Sequence, residues 1–215
     1  MAYLLAVLVL AGMTATGHLV MVAGRLRFTV SPLADVAIAF VVGAGTITLV
    51  TFWISLLAPA WALSISIGVL AVALAVALGL VALQAARSAS AAAGAVRAGA
   101  GLPVRAPWWA YPAAALVLVD LGLLVTGILR SEVGWDGFFV WGIKARYFFL
   151  SGGVPQPYFT DLSREWSHID YPFLLPISEA LVYRAAGTPD ERLIMVVIAA
   201  FVLCLVVLLH ELVRT

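Results

Sequence analysis

Residues 130–172 set ionisable side chains among aromatic rings: Asp136, Lys144, Arg146, Asp161, Arg164, Glu165, His168 and Asp170 share this stretch with Trp135, Phe138, Trp141, Tyr147, Phe148 and Tyr171. Five acids and four bases fall between Arg130 and Asp170, whereas residues 1–86 contain only Arg25, Arg27 and Asp35. Carboxylates and cations in one segment can divide the work of a transfer reaction. A carboxylate takes a proton as general base, and lysine, arginine or histidine holds a phosphate through charge-assisted hydrogen bonds. His168 and Asp170 stand two residues apart, a spacing that permits a metal without specifying one. With no third clear ligand a divalent metal is not favoured, and no other cofactor is indicated. Asp136 follows Gly134-Trp135 and is placed to cap a helix expected over residues 137–150, so a capping role stands beside a catalytic one.

At 100° per residue, that helix puts Phe138, Trp141, Phe148 and Phe149 on one side and sets Lys144 and Arg146 on either flank of Asp136. A helix of this kind suits a membrane surface, rings at headgroup depth and polar edge toward water or a bound headgroup. Lys144 and Arg146 then either snorkel at the interface or touch a donor phosphate. Ser151-Gly152-Gly153 ends the helix, and Pro155 and Pro157 hold the chain extended. Asp161, Arg164 and Glu165 read more simply as a solvated loop face. Pro172 suits the first turn of a following helix, which leaves Asp170 and Tyr171 at its entrance.

The elements that must position these groups are membrane helices. The 215-residue chain is 64% hydrophobic and 11% charged, with a mean hydropathy of +1.11, which excludes an ordinary water-soluble domain. A net charge of +1 with scattered arginines offers no basic face for nucleic acid. The single cysteine, Cys204, excludes a disulfide scaffold. A crossing helix needs about 20 mainly apolar residues. Residues 2–23, 33–58, 60–84, 108–129 and 193–209 meet this, and 171–186 is counted as a short or tilted sixth span, with a re-entrant helix as the alternative. The expected fold is therefore an all-α polytopic bundle of about six spans with a juxtamembrane helical loop.

Arg25 and Arg27 follow the first span, and Arg87, Arg97 and Arg105 follow the third, so these loops are expected in the cytoplasm. By alternation, the loop 130–170 lies on the outer face, the turn 187–192 inside and residues 210–215 outside. Gly187 is expected to end one helix, with Thr188, Pro189 and Glu191 forming a capping box for the next. Residues 87–107, rich in Ala and Gly, read as a cytoplasmic linker between a three-helix unit (1–86) and the region 108–215. Asp120 and Glu179 lie inside apolar runs, where an ionisable group is a functional candidate, although an interhelical contact is the simpler role. The Gly and Ala content of the second and third spans suits close helix packing.

The run GWDGFFVWGIKARYFFLSGGVP, then YFTD and SHIDYPFLLPISEALVYRAAG, resembles bacterial polytopic glycosyltransferases of the C fold class, which include protein mannosyltransferases and aminoarabinose transferases. The resemblance covers about residues 108–209. It implies a hexosyl- or pentosyltransferase of the bacterial cytoplasmic membrane that takes a sugar from a polyprenyl-phosphate donor, with membrane lipids around it and the active loop on the outer face. It also implies Asp136 as the essential carboxylate and matches Tyr171-Pro172 to the opening of the following helix; the chemistry of the loop itself makes Asp170 a candidate second active-site acid and Lys144, Arg146, His168 and Tyr171 candidate substrate-binding residues. Members of this class carry more spans, so six are expected to be the N-terminal portion of an enzyme or one part of a complex in which a partner chain supplies the rest. The alternative is a non-catalytic membrane subunit or lipid-binding scaffold. A transporter fits less well, because the charges cluster in a loop and no inverted repeat is visible.

Overall fold

The computed structural model describes residues 1–26, 31–95 and 110–214, and all regular structure in these residues is helical. Seven α-helices follow one another: α1 (Ala2–Ala23), α2 (Pro32–Leu57), α3 (Ala62–Ala95), α4 (Ala110–Arg130), α5 (Ile143–Ser151), α6 (Leu174–Ala186) and α7 (Arg192–Arg214). Among the described residues, four helical segments are long and apolar enough to cross a membrane: Ala2–Ala23, Pro32–Leu57, Pro59–Arg87 and Arg192–Val213. The helix α3 runs on to Ala95, beyond the end expected near residue 84, and the remainder of the expected linker lies outside the described residues.

Within the spans, hydroxyls close back onto their own helices. Thr16 Oγ1 donates to the Gly12 carbonyl and Thr51 Oγ1 to that of Ile47, so these polar groups enter an apolar core already satisfied. Ser31 caps α2 by accepting the Ala34 N–H, with Pro32 at the first helical position. The helices α1 and α2 run antiparallel in the tightest contact of the fold. A Cβ on Gly17 would overlap the Ala39 carbonyl, and one on Gly43 the Met13 carbonyl, so the backbones touch because neither position carries a side chain. Gly45 has open space around it and takes no part.

The corner between α2 and α3, a 3₁₀ turn over Pro59–Trp61, receives the turn that ends α5. The Leu63 N–H donates to the Gly152 carbonyl at 2.8 Å, and the Val154 N–H donates to Ser55 Oγ at 3.0 Å. Gly152 adopts φ +80°, and a Cβ there would strike the Ala60 backbone, so both conformation and space require glycine. This docking fixes the C-terminal end of α5 against the membrane helices.

The expected crossing at 171–186 does not form. The helix α6 has 13 residues, about 20 Å of rise against the roughly 30 Å of a bilayer core. Both of its ends lie at the α2–α3 corner: Phe173 packs on Phe52 at 6.1 Å, and Arg184 Nε and Nη2 donate to Ser64 Oγ at 3.0 and 2.7 Å. Its apolar composition reflects burial in protein instead of lipid, with Ile177 to Tyr183 closed off by the surrounding helices. Consequently the turn 187–191 returns to the end of the bundle that holds 131–170, where Glu191 and Arg192 share a cleft with Tyr3 and Arg130. From there α7 runs toward the opposite end, Phe201 meeting the edge of Phe40 at 5.0 Å. The turn 187–192 and the loop 130–170 are thus on one side, and the alternation expected from six spans is broken at α6.

Gly187 does end α6 in the left-handed conformation, at φ +76°. The expected capping box is replaced, because α7 begins later and the Asp190 carboxylate accepts the Arg192 N–H at 3.0 Å. The three N-terminal helices share one core with the C-terminal region, since α6 packs on α1 and α7 on α2.

This arrangement predicts the accessibility of two exposed positions, Ser163 and Thr188. In a Cys204→Ala background, single cysteines at the two sites should react with an impermeant maleimide from the same side of sealed vesicles. Labelling from opposite sides would restore a crossing at 171–186.

Candidate functional site

The segment 131–191 forms a polar cap on the corner end of the bundle. Its first helical turns are not the regular α-helix expected. Residues Gly137–Gly142 are π-helical, the Ile143 N–H reaching back to the Phe138 carbonyl, and the α-helical pitch resumes only at Ile143. Gly142 lies where a Cβ would come within 3.0 Å of Ile194 Cδ1, so α7 presses directly on this turn. A wider turn changes the angular offset between residues before and after it, so the uniform 100° wheel misplaces the two halves relative to each other.

Asp136 therefore sits already inside the helix, at φ −63° and ψ −38°, and its carboxylate makes no capping hydrogen bond. A capping residue normally has extended backbone, which Asp136 lacks. The expected cap is absent, and the exposed carboxylate is left facing solvent.

Lys144, expected on a water-facing edge, is instead 1% exposed. Its Nζ donates to the His168 carbonyl at 2.5 Å and lies 5.3 Å from the Trp141 ring centroid and 5.4 Å from that of Tyr171. The Tyr171 ring stacks on the His168 imidazole at 4.5 Å, and Trp141 closes the group 5.6 Å from Tyr171. His168 takes the left-handed conformation, φ +55°, unusual for a residue with a side chain. This turns its carbonyl inward to accept both the Lys144 ammonium and the Tyr171 N–H. Burial pushes the Lys144 amine below its ordinary value, and the nearby Asp170 carboxylate opposes that shift.

The aromatic side of α5 packs into protein and not into the bilayer surface. Phe148 is fully buried, meeting Tyr158 at 5.1 Å and Phe173 at 5.5 Å. Beside this cluster is a cavity of about 290 Å³ lined by Lys144, Arg146, Ser167, Tyr158 and the apolar faces of Ile143, Tyr147 and Leu150. Arg146 is exposed and reaches the cavity from the solvent side. The structure thus brings together Lys144, Arg146, His168, Asp170 and Tyr171. Asp136 does not line the cavity. Asp161 accepts from the Ser163 N–H at 3.2 Å and from Ser163 Oγ.

Sequence reasoning missed Trp141, three residues before Lys144, as its partner, because the uniform wheel set the two on different sides; it also missed Tyr158 and Ser167 as cavity walls, which no spacing signal links to Lys144. Glu179 is fully buried, and neither carboxylate oxygen has a hydrogen-bond partner. Arg184, five residues further on, donates to Ser64 Oγ instead of to this carboxylate. Asp120 lies exposed on α4. Among the described residues no three His, Cys, Asp or Glu side chains converge in a way that could hold a metal.

No family model, curated protein or solved structure matches this chain.

The Lys144 environment has a measurable consequence. Because the folded state holds its amine below the unfolded value of 10.5, the unfolded chain binds more protons in the interval below 10.5. Stability from this residue therefore rises with pH across that interval. Lys144→Met should abolish that rise in detergent melting curves, and identical slopes in the two proteins would show that burial does not govern the amine.

Proposed function

We propose that this chain is the membrane-embedded donor-binding part of a glycosyltransferase that moves a sugar from a polyprenyl-phosphate lipid to an acceptor hydroxyl. The observation that carries the reading is the shared cavity of Lys144 and Arg146, two cations with Asp170 nearby, at the end of an otherwise apolar bundle. The acceptor hydroxyl gives its proton to Asp136 and attacks the anomeric carbon. The bond from that carbon to the lipid phosphate oxygen breaks, and the phosphate leaves with the electron pair. Direct displacement of this kind inverts the anomeric centre. Arg146 meets the departing phosphate from the solvent side and Lys144 from the protein side, stabilising charge where it develops. Asp170 favours the charged form of Lys144, and His168 and Tyr171 hold its position.

In this reading α4, with 21 residues, supplies a crossing beyond the four long apolar helices, and the polar cap faces outward from a bacterial cytoplasmic membrane. Its support is the cluster of arginines at the far ends of α1 and α3. A second reading, a lipid-binding subunit without catalysis, is favoured by one observation: the Lys144 ammonium is already held by a carbonyl and two rings, as a structural cation would be.

Asp136→Asn keeps size and removes the base. In the full natural gene product it should fold as before and lose transfer from a polyprenyl-phosphate donor by about 10²- to 10⁴-fold. Asp161→Asn should be much milder. Full transfer by Asp136→Asn would remove the base assignment. Absence of transfer in both forms, with co-purification of a larger membrane protein, would favour the subunit reading.

A further inference from the structure

A second polar site lies at the same end of the bundle, sharing no residue with the Lys144 cavity. The start of α1, the segment that follows α4 and the start of α7 enclose a cleft of about 650 Å³, lined by Tyr3, Arg130, Ser131, Glu132, Glu191 and Arg192 among others. Its charges come from two separate elements, Arg130 and Glu132 on one wall and Glu191 and Arg192 on the other. Among the described residues none of the four forms an ion pair. The cleft therefore presents two cations and two anions to the same open space. Tyr3 and Arg192 sit at the first turns of helices long enough to cross a membrane, so the cleft opens at the depth of lipid headgroups.

We infer that this cleft binds the headgroup of a zwitterionic phospholipid bearing a phosphate and a primary ammonium. Arginine forks match the phosphate, and the carboxylates match the three donors of the ammonium. The N-terminus of α7 adds its partial positive charge to the phosphate end. One zwitterion satisfies both signs of charge, which an anionic lipid or a lone cation would not. A choline headgroup has no N–H to donate to Glu132 or Glu191 and should bind less well.

The test is lipid retention by the intact chain, purified from mixed phosphatidylethanolamine and phosphatidylglycerol vesicles and examined by native mass spectrometry. Arg130, Glu132 and Arg192 are exposed and Glu191 is half-buried, so glutamine at these positions should leave melting curves unchanged. Wild type should retain phosphatidylethanolamine. Arg130→Gln with Arg192→Gln, and separately Glu132→Gln with Glu191→Gln, should each lower retention about tenfold, the scale of one lost charge-assisted hydrogen bond. Soluble phosphoethanolamine should displace the lipid. Preferential retention of phosphatidylglycerol, strengthened in the glutamate variant, would overturn the inference in favour of an anionic-lipid site. Equal retention in all forms, or no displacement by the soluble headgroup, would overturn it as well.

Discussion

An ammonium group taken out of water at the edge of an apolar bundle costs several kcal/mol unless it is surrounded by partners. Lys144 meets that requirement with one carbonyl and two aromatic faces, and the geometry of the polar cap follows from it. The carbonyl belongs to His168, which can aim it inward only by adopting a left-handed backbone, a conformation that costs on the order of 1–3 kcal/mol outside glycine. Once His168 is turned, the Tyr171 N–H bonds the same oxygen, the Tyr171 ring covers the imidazole, and Asp170 is delivered beside the cation. His168, Asp170 and Tyr171 are therefore gathered around one buried charge.

That charge is held still by the bundle beneath it. Gly17 and Gly43 let α1 and α2 touch at the backbone, which sets the corner where α2 turns into α3. The corner in turn receives Gly152 and Val154 through hydrogen bonds to Leu63 and Ser55, so the C-terminal end of α5 is anchored while its N-terminal end merges with a π-helical turn. Lys144 and Arg146 stand in the first turn of this anchored helix. The irregular end carries Asp136, whose carboxylate is exposed and without a capping bond.

Much of this was legible in the chain. Long apolar runs announced α1, α2, α3 and α7, because lipid-spanning helices have a composition that little else shares. Lys144, Arg146, His168, Asp170 and Tyr171 were singled out from their clustering, and the structure does bring them together. The errors share a physical cause: apolarity reports burial without saying whether lipid or protein does the burying. Residues 171–186 read as a span and are a core helix, and Phe148 read as an interfacial ring and is a core ring. The burial of Lys144 was hidden because a helical wheel assumes one pitch, and residues Gly137–Gly142 break it. Ser167 and Tyr171 became neighbours of Lys144 only through the return of the chain at His168, a long-range contact that no local pattern encodes.

The central claim is that the cavity between Lys144 and Arg146 receives a lipid-linked phosphate, and direct binding tests it without requiring turnover. The measurement is saturation binding of a short polyprenyl phosphate to the chain in nanodiscs, comparing wild type with Arg146→Gln. The account predicts saturable binding that the Arg146 substitution weakens about tenfold, the effect of one charge-assisted hydrogen bond, while the uncharged polyprenol binds no better than background. Equal binding of polyprenyl phosphate and polyprenol, unaffected by Arg146→Gln, would contradict it.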